Sequence, residues 1–117
     1  VPLLADQEIL DLALQQEPAI CGQLGLAFIS YPVVDRGVPD SAGTFLSLVD
    51  RLSDLLNEGR RIVIHCRMGI GRSSLIAAIL LVKSGYSVAD AFDAISQARG
   101  VEVPDTGDQI TWVKSIN

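Results

Sequence analysis

"RRIVIHCRMGIGRSSLIAAILLVKSG", residues 60–85, is the stretch from which the rest of the chain can be read. Its first six residues are rich in β-branched types and read as a short strand ending at His65. Residues 72–83 are helix formers, and Gly85 supplies the stop. Between the two lies a loop with one cysteine, Cys66, flanked by His65 and Arg67 and followed by Gly69, Gly71 and Arg72. A strand that enters a helix through a glycine-loosened turn is the repeating unit of a parallel α/β sheet. Ligands of such sheets bind where strand C-termini meet helix N-termini.

Outward from that unit the chain keeps the same alternation. "VPLL" reads as a strand entered in mid-domain, so N-terminal strands are expected to be missing before it. Asp6 then reads as an N-cap for an amphipathic stretch to about Gln16. "LAFISYPVV" predicts a buried strand over Leu26 to Val33, and "DRGVPDSAG" is loop by composition. Phe45, Leu48, Val49, Leu52, Leu55 and Leu56 recur at helical spacing up to Gly59. Downstream, Ser87 with Asp90 and Thr106 with Gln109 resemble capping boxes for two further helices. The order predicts a single α/β domain over residues 1–117 with parallel strands and right-handed crossovers.

Composition narrows the function classes. The 117 residues are 49% hydrophobic with few aromatics, which is enough for one core built from Leu, Ile, Val and Ala. A net charge of -5 argues against nonspecific attachment to nucleic acid or to an anionic membrane. The longest apolar run, Leu75 to Val82, is too short to span a bilayer. Two cysteines and one histidine have no metal-ligand spacing, so no metal and no cofactor is expected. Reduced thiols and a cytoplasmic location are the expectation for a chain with this much core.

Against that acidic background the cationic loop needs a reason. Five residues separate Cys66 from Arg72, and Gly69 and Gly71 let the backbone curl so that successive amide N–H groups point inward. Such a nest at the positive end of a helix binds a tetrahedral dianion, and Arg72 adds a bidentate contact to two of its oxygens. The same field acts on the thiol. An ordinary cysteine is only roughly 3% thiolate at pH 7, whereas one at a helix N-terminus beside cations titrates at about 3.5–7.5. The loop therefore makes its own nucleophile. His65, next to Cys66 on a strand, should face the opposite side, which disfavours a Cys–His dyad.

"HCRMGIGRSS" resembles the His-Cys-x5-Arg-Ser/Thr signature of the cysteine-dependent protein tyrosine phosphatase superfamily. The likeness is to its dual-specificity branch and the kinase-associated-phosphatase-like members within it. It extends from "VPLL" through "DRGVPD" to "ARGVEVPDTGDQITWV". The fold this implies is α/β, dual-specificity-phosphatase-like, with a small parallel or mixed sheet of three or more strands flanked by helices. The implied activity is metal-independent hydrolysis of phosphomonoesters through a phosphocysteine, on phosphotyrosine and also phosphoserine or phosphothreonine of a protein or peptide.

By the same resemblance Cys66 is the nucleophile, and Arg72 with the amides of Arg67, Met68, Gly69, Ile70 and Gly71 holds the phosphate. Phosphate, vanadate or sulfate would occupy that loop as anions. Ser73 would hydrogen-bond the sulfur, and His65 would support the loop from behind. Asp35, before the "RGVP" turn, would be the acid that protonates the leaving oxygen, a role worth about 10²–10⁴ in rate. Asp40 is the alternative acid, although it more naturally caps the next helix. Gln109 either positions the hydrolytic water or serves only as the last member of its capping box. Other readings stay open at this point: a phosphatase of lipid or nucleotide esters, or a catalytically silent phosphate-binding module.

Overall fold

The structure is a computed structural model and describes residues 1–67 and 70–116. Six helices are present among them: α1 (Asp6–Asp11), α2 (Glu17–Gln23), α3 (Ala42–Asn57), α4 (Arg72–Lys83), α5 (Val88–Arg99) and α6 (Gly107–Ile116). α4 lies at the centre and packs against α3, α5 and α6. Leu75, Ile76, Ala78 and Ile79 of α4 are buried against Phe45, Val49 and Leu52 of α3, Ala91 and Phe92 of α5, and Val113 of α6. Because the apolar residues of α4 are not confined to one face, the helix belongs inside the protein. Trp112 of α6 packs edge-on against Phe45, with ring centroids 4.9 Å apart.

The four later helices follow the sequence pattern. Ser41, not Asp40, caps α3, its Oγ accepting from the Thr44 N–H at 3.2 Å. Ser87 Oγ accepts from Asp90 N–H at the start of α5, 3.1 Å. At the start of α6, Thr106 and Gln109 make both bonds of a capping box, each 3.2 Å. Gly59 and Gly85 have φ of +82° and +111° just beyond α3 and α4, a region that favours glycine.

The N-terminal part departs from expectation. α1 ends at Asp11 instead of continuing to Gln16, and its N-cap is Ala5 rather than Asp6. A second helix, α2, follows at Glu17, with Pro18 in its first turn, where a missing N–H costs nothing.

Among the described residues the expected strands reduce to one parallel bridge, between Pro2 and His65. Leu3 N–H donates to His65 C=O at 2.8 Å and His65 N–H to Val1 C=O at 3.0 Å. On the other side, Tyr31 N–H reaches Pro2 C=O and Val33 N–H reaches Leu3 C=O, both at 3.1 Å. The first residues thus lie between the segments that carry Asp35 and Cys66. The buried strand expected over Leu26 to Val33 is not formed: Leu26 is 57% exposed, and Pro32 has no N–H to continue a ladder. Among the described residues no helix is long and apolar enough to cross a membrane.

Candidate active site

The bonds between residues 1–3, 31–33 and 65 bring three distant parts of the chain to one edge. Cys66 follows directly on the bridged His65 and is buried. Its thiol donates to Ser73 Oγ at 3.4 Å, within reach for a sulfur hydrogen bond. Ser74, one residue on, donates to the Gly71 carbonyl at 2.6 Å and ties the loop's end to the first turn of α4. Arg67 is exposed on the rim and Ile70 is half-buried. Met68 and Gly69, two of the residues expected to cradle a phosphate, lie outside the described residues.

Arg72, the first residue of α4, is the most constrained side chain of the site, only 2% exposed. Its Nη1 and Nη2 donate to Glu8 Oε1 and Oε2 at 2.6 and 2.8 Å, a fork-to-fork ion pair. Nη1 also donates to the carbonyls of Val33 at 2.9 Å and Leu3 at 3.3 Å. Nη2 donates to Asp35 Oδ1 at 3.2 Å. The hydrogen bond from Arg72 holds the Glu8 carboxyl below its ordinary range, against the opposing effect of burial. The bond to Glu8 in turn raises the Arg72 guanidinium above its already high value. Glu8 was not singled out in the sequence, because nothing local distinguishes it from the other acids of "ADQEILD".

Asp35 is half-exposed and sits in a turn closed by Gly37 N–H donating to Val34 C=O at 2.8 Å. The third residue of that turn, Arg36, has a φ of +58°, left-handed for a non-glycine residue. Gln109 is fully buried, and its Nε2 donates to the Gly37 carbonyl at 3.0 Å. Asp40, the alternative acid, is exposed.

His65 faces away from this cluster. Its Nε2 lies 3.0 Å from Glu17 Oε2 of α2. It also lines a cavity of about 560 Å³ together with Glu17, Cys21, Leu26 and Leu52. Cys66, Arg72 and Asp35 do not line that cavity, so it is separate from the cluster around the start of α4.

A cysteine, a locked arginine and a carboxylate thus meet at the start of α4, in the order of the signature. The family profile described as "dual specificity phosphatase, catalytic domain" matches residues 9–112. The chain belongs to that family. Among curated relatives, Cyclin-dependent kinase inhibitor 3 of Rattus norvegicus is 35% identical over 93 residues, 78% of this chain and 43% of the relative. Dual specificity protein phosphatase 2 of Mus musculus is 32% identical over 77 residues, 65% of this chain and 24% of the relative. The chain therefore spans less than half the length of these relatives.

In three dimensions, this dual-specificity domain superimposes on kinase associated phosphatase with its catalytic-site cysteine replaced by serine. The TM-score is 0.88 at 25% identity, covering 96% of this chain and 64% of that one. Tk-PTP in its active form gives 0.80 at 23% identity, covering 98% and 74%, a likeness of fold alone.

Proposed function

We propose that this domain hydrolyses phosphomonoesters without a metal, through a phosphocysteine on Cys66, and that its substrates are phosphotyrosine and also phosphoserine or phosphothreonine residues of proteins. The observation that carries the reading is the convergence of Cys66, Ser73, Arg72 and Asp35 at one helix N-terminus. Membership of the dual specificity phosphatase family supports it. The names of the relatives, a kinase inhibitor and a kinase associated phosphatase, favour a phosphorylated protein over a lipid or nucleotide ester. The proposal extends to a cytoplasmic location. It also includes a small parallel sheet of three or more strands, with the Pro2–His65 pairing as its observed fragment.

In this reading the Cys66 thiolate attacks phosphorus while Arg72 and the amides of residues 67–72 hold the equatorial oxygens, where developing charge is stabilised best by fixed donors. Arg72 Nη2 is shared between Glu8 and Asp35, and Asp35 is the exposed partner of the two. An incoming phosphate dianion competes with Asp35 for that donor; freed from the guanidinium, the carboxylate takes up a proton from solvent and delivers it to the leaving oxygen. Ser73 then donates to the departing sulfur as water, activated by the Asp35 carboxylate, cleaves the phosphocysteine.

The test is hydrolysis of para-nitrophenyl phosphate in the presence of EDTA. Wild type should turn over and be inhibited by vanadate, Cys66→Ser should be inactive, and Asp35→Ala should lose most turnover while still binding substrate. Equal inactivity of wild type and Cys66→Ser would instead support a silent phosphate-binding module.

A further inference from the structure

Two side chains that start α6 reach both the turn carrying Asp35 and the end of the loop carrying Cys66. Gln109 is fully buried, and each end of its amide is occupied. Oε1 accepts from Thr106 N–H at 3.2 Å, and Nε2 donates across to the Gly37 carbonyl at 3.0 Å. Asp105 Oδ1 lies 3.9 Å from Arg36 Nη1, the side chain being 25% exposed.

Both residues also press on Gly71. A Cβ placed on Gly71 would lie 2.9 Å from Asp105 Oδ2 and 2.9 Å from Gln109 Nε2, closer than such contacts occur. Any side chain at Gly71 must therefore push the Asp105 carboxylate and the Gln109 amide aside, although its φ of -91° is open to any residue.

The turn itself needs holding. Arg36 at a φ of +58° is in a conformation that costs a non-glycine residue about 1–2 kcal/mol. Such strain persists where surrounding contacts over-determine it, and it concentrates at functional sites. Here the over-determining contacts are the Arg36–Asp105 pair and the bond from Gln109 to Gly37, on the two residues that follow Asp35.

We propose that Gln109 and Asp105 are positioning residues. They brace the turn of residues 34–37 against Gly71, so that the Asp35 carboxyl is kept at a fixed distance from the phosphate loop. The inference rests on the phosphatase reading above, and it assigns Gln109 a task other than holding the hydrolytic water. Gln109 acts through the Gly37 backbone on where the acid stands. Misplacement by about 1 Å can cost on the order of 10² in rate, which makes such a brace consequential.

The test compares two aryl phosphates on the full chain. Phenyl phosphate needs a proton on its leaving oxygen, whereas 2,4-dinitrophenyl phosphate does not. Gln109→Met and the milder Asp105→Asn should each lower kcat/KM for phenyl phosphate, the first by about tenfold or more and the second by about threefold. Both should leave 2,4-dinitrophenyl phosphate within about twofold of wild type. Asp105→Asn, partly open to solvent and nearly isosteric, keeps the test available if Gln109→Met fails to fold.

Equal loss on both substrates would overturn the brace, and a burst of phenol before a slow steady state would move Gln109 to the water-dependent step. No loss on either substrate would also overturn it. A wild type that hydrolyses neither ester would sink the phosphatase reading, and the brace with it.

Discussion

Arg72 grips Glu8 through two parallel hydrogen bonds of 2.6 and 2.8 Å, across 64 positions of sequence, while remaining 2% exposed. The consequence is geometric as much as energetic. Glu8 sits in the first turn of α1, and its Oε1 also accepts from Ala5 N–H at 3.1 Å, so the segment that begins the chain fixes the guanidinium's plane. What remains adjustable on Nη2 is the contact with Asp35. An arginine held this way is pre-organised for a planar, two-point grip on an oxyanion.

Removing the partner should therefore damage both stability and chemistry. Glu8→Ala takes from a nearly buried guanidinium its two-point counter-ion and leaves only the longer contact with the exposed Asp35, and breaking a buried pair in this way typically costs about 3–5 kcal/mol. Urea unfolding is expected to show an unfolding free energy lowered by that amount and a correspondingly lower midpoint, with activity reduced even in the folded fraction. A loss within about 0.5 kcal/mol would mean that the pair is solvated and does not organise the site.

The same pair sets a pH dependence. Arg72 lowers the Glu8 carboxyl below the ordinary value, so the unfolded chain takes up that proton at higher pH than the folded one. The stabilisation is fully present above the unfolded pKa, about 4.3, and is lost as pH falls through the lower folded value. Comparing Glu8→Gln with wild type in chemical unfolding from pH 7 to pH 3, the stability difference should shrink toward the acid end. A difference that is constant across that range would contradict the assignment.

Gly71 and Asp105 should be coupled. Gly71→Ala drives a methyl group against Asp105 Oδ2 and the Gln109 amide, and overpacking of this kind costs about 1–3 kcal/mol. Since part of the clash is with Asp105, the cost should fall measurably in an Asp105→Ala background. A double-mutant cycle on stability reads the coupling, and additivity would show that the two residues do not press on each other.

Much of the later half was legible because its signals are local. The apolar spacing of Phe45, Val49 and Leu52, the serine cap at Ser87 and the Thr106–Gln109 box all act within four residues, whereas the cap of α3 fell one residue beyond the expected Asp40, on Ser41. The facing of His65 away from Cys66 follows from strand alternation, and its contact with Glu17 agrees with that expectation. The misses share the opposite property. α2 opens with Gln16 and Pro18 and leaves Ile20 50% exposed, so it shows neither a strong cap nor an apolar stripe. The run "LAFISYPVV" has strand composition, yet Pro32 removes a donor, and its bonds to the first residues of the chain come from Tyr31 and Val33.

At the site, the cysteine, the arginine and the acid stand in one recognisable order, but their supports do not. Glu8 and Asp105 are placed by tertiary contacts, one with Arg72 and the other with Arg36 and Gly71. No spacing rule links an acid in the first turn of α1 to the first residue of α4. Gln109 shows both sides of the matter, since its cap to Thr106 could be read locally and its bond to Gly37, 72 residues away, could not.

The central claim is that Cys66 carries the phosphoryl group between two half-reactions. Radiolabelled phosphotyrosyl peptide, mixed with enzyme and quenched in acid within the first turnovers, tests it most directly. The expected result is label bound covalently to the peptide that contains Cys66 in wild type, reduced in Asp35→Ala, which lacks the acid for the leaving oxygen, and absent in Cys66→Ser. Hydrolysis by wild type with no trapped label, or label on Ser73 instead of Cys66, would contradict the account.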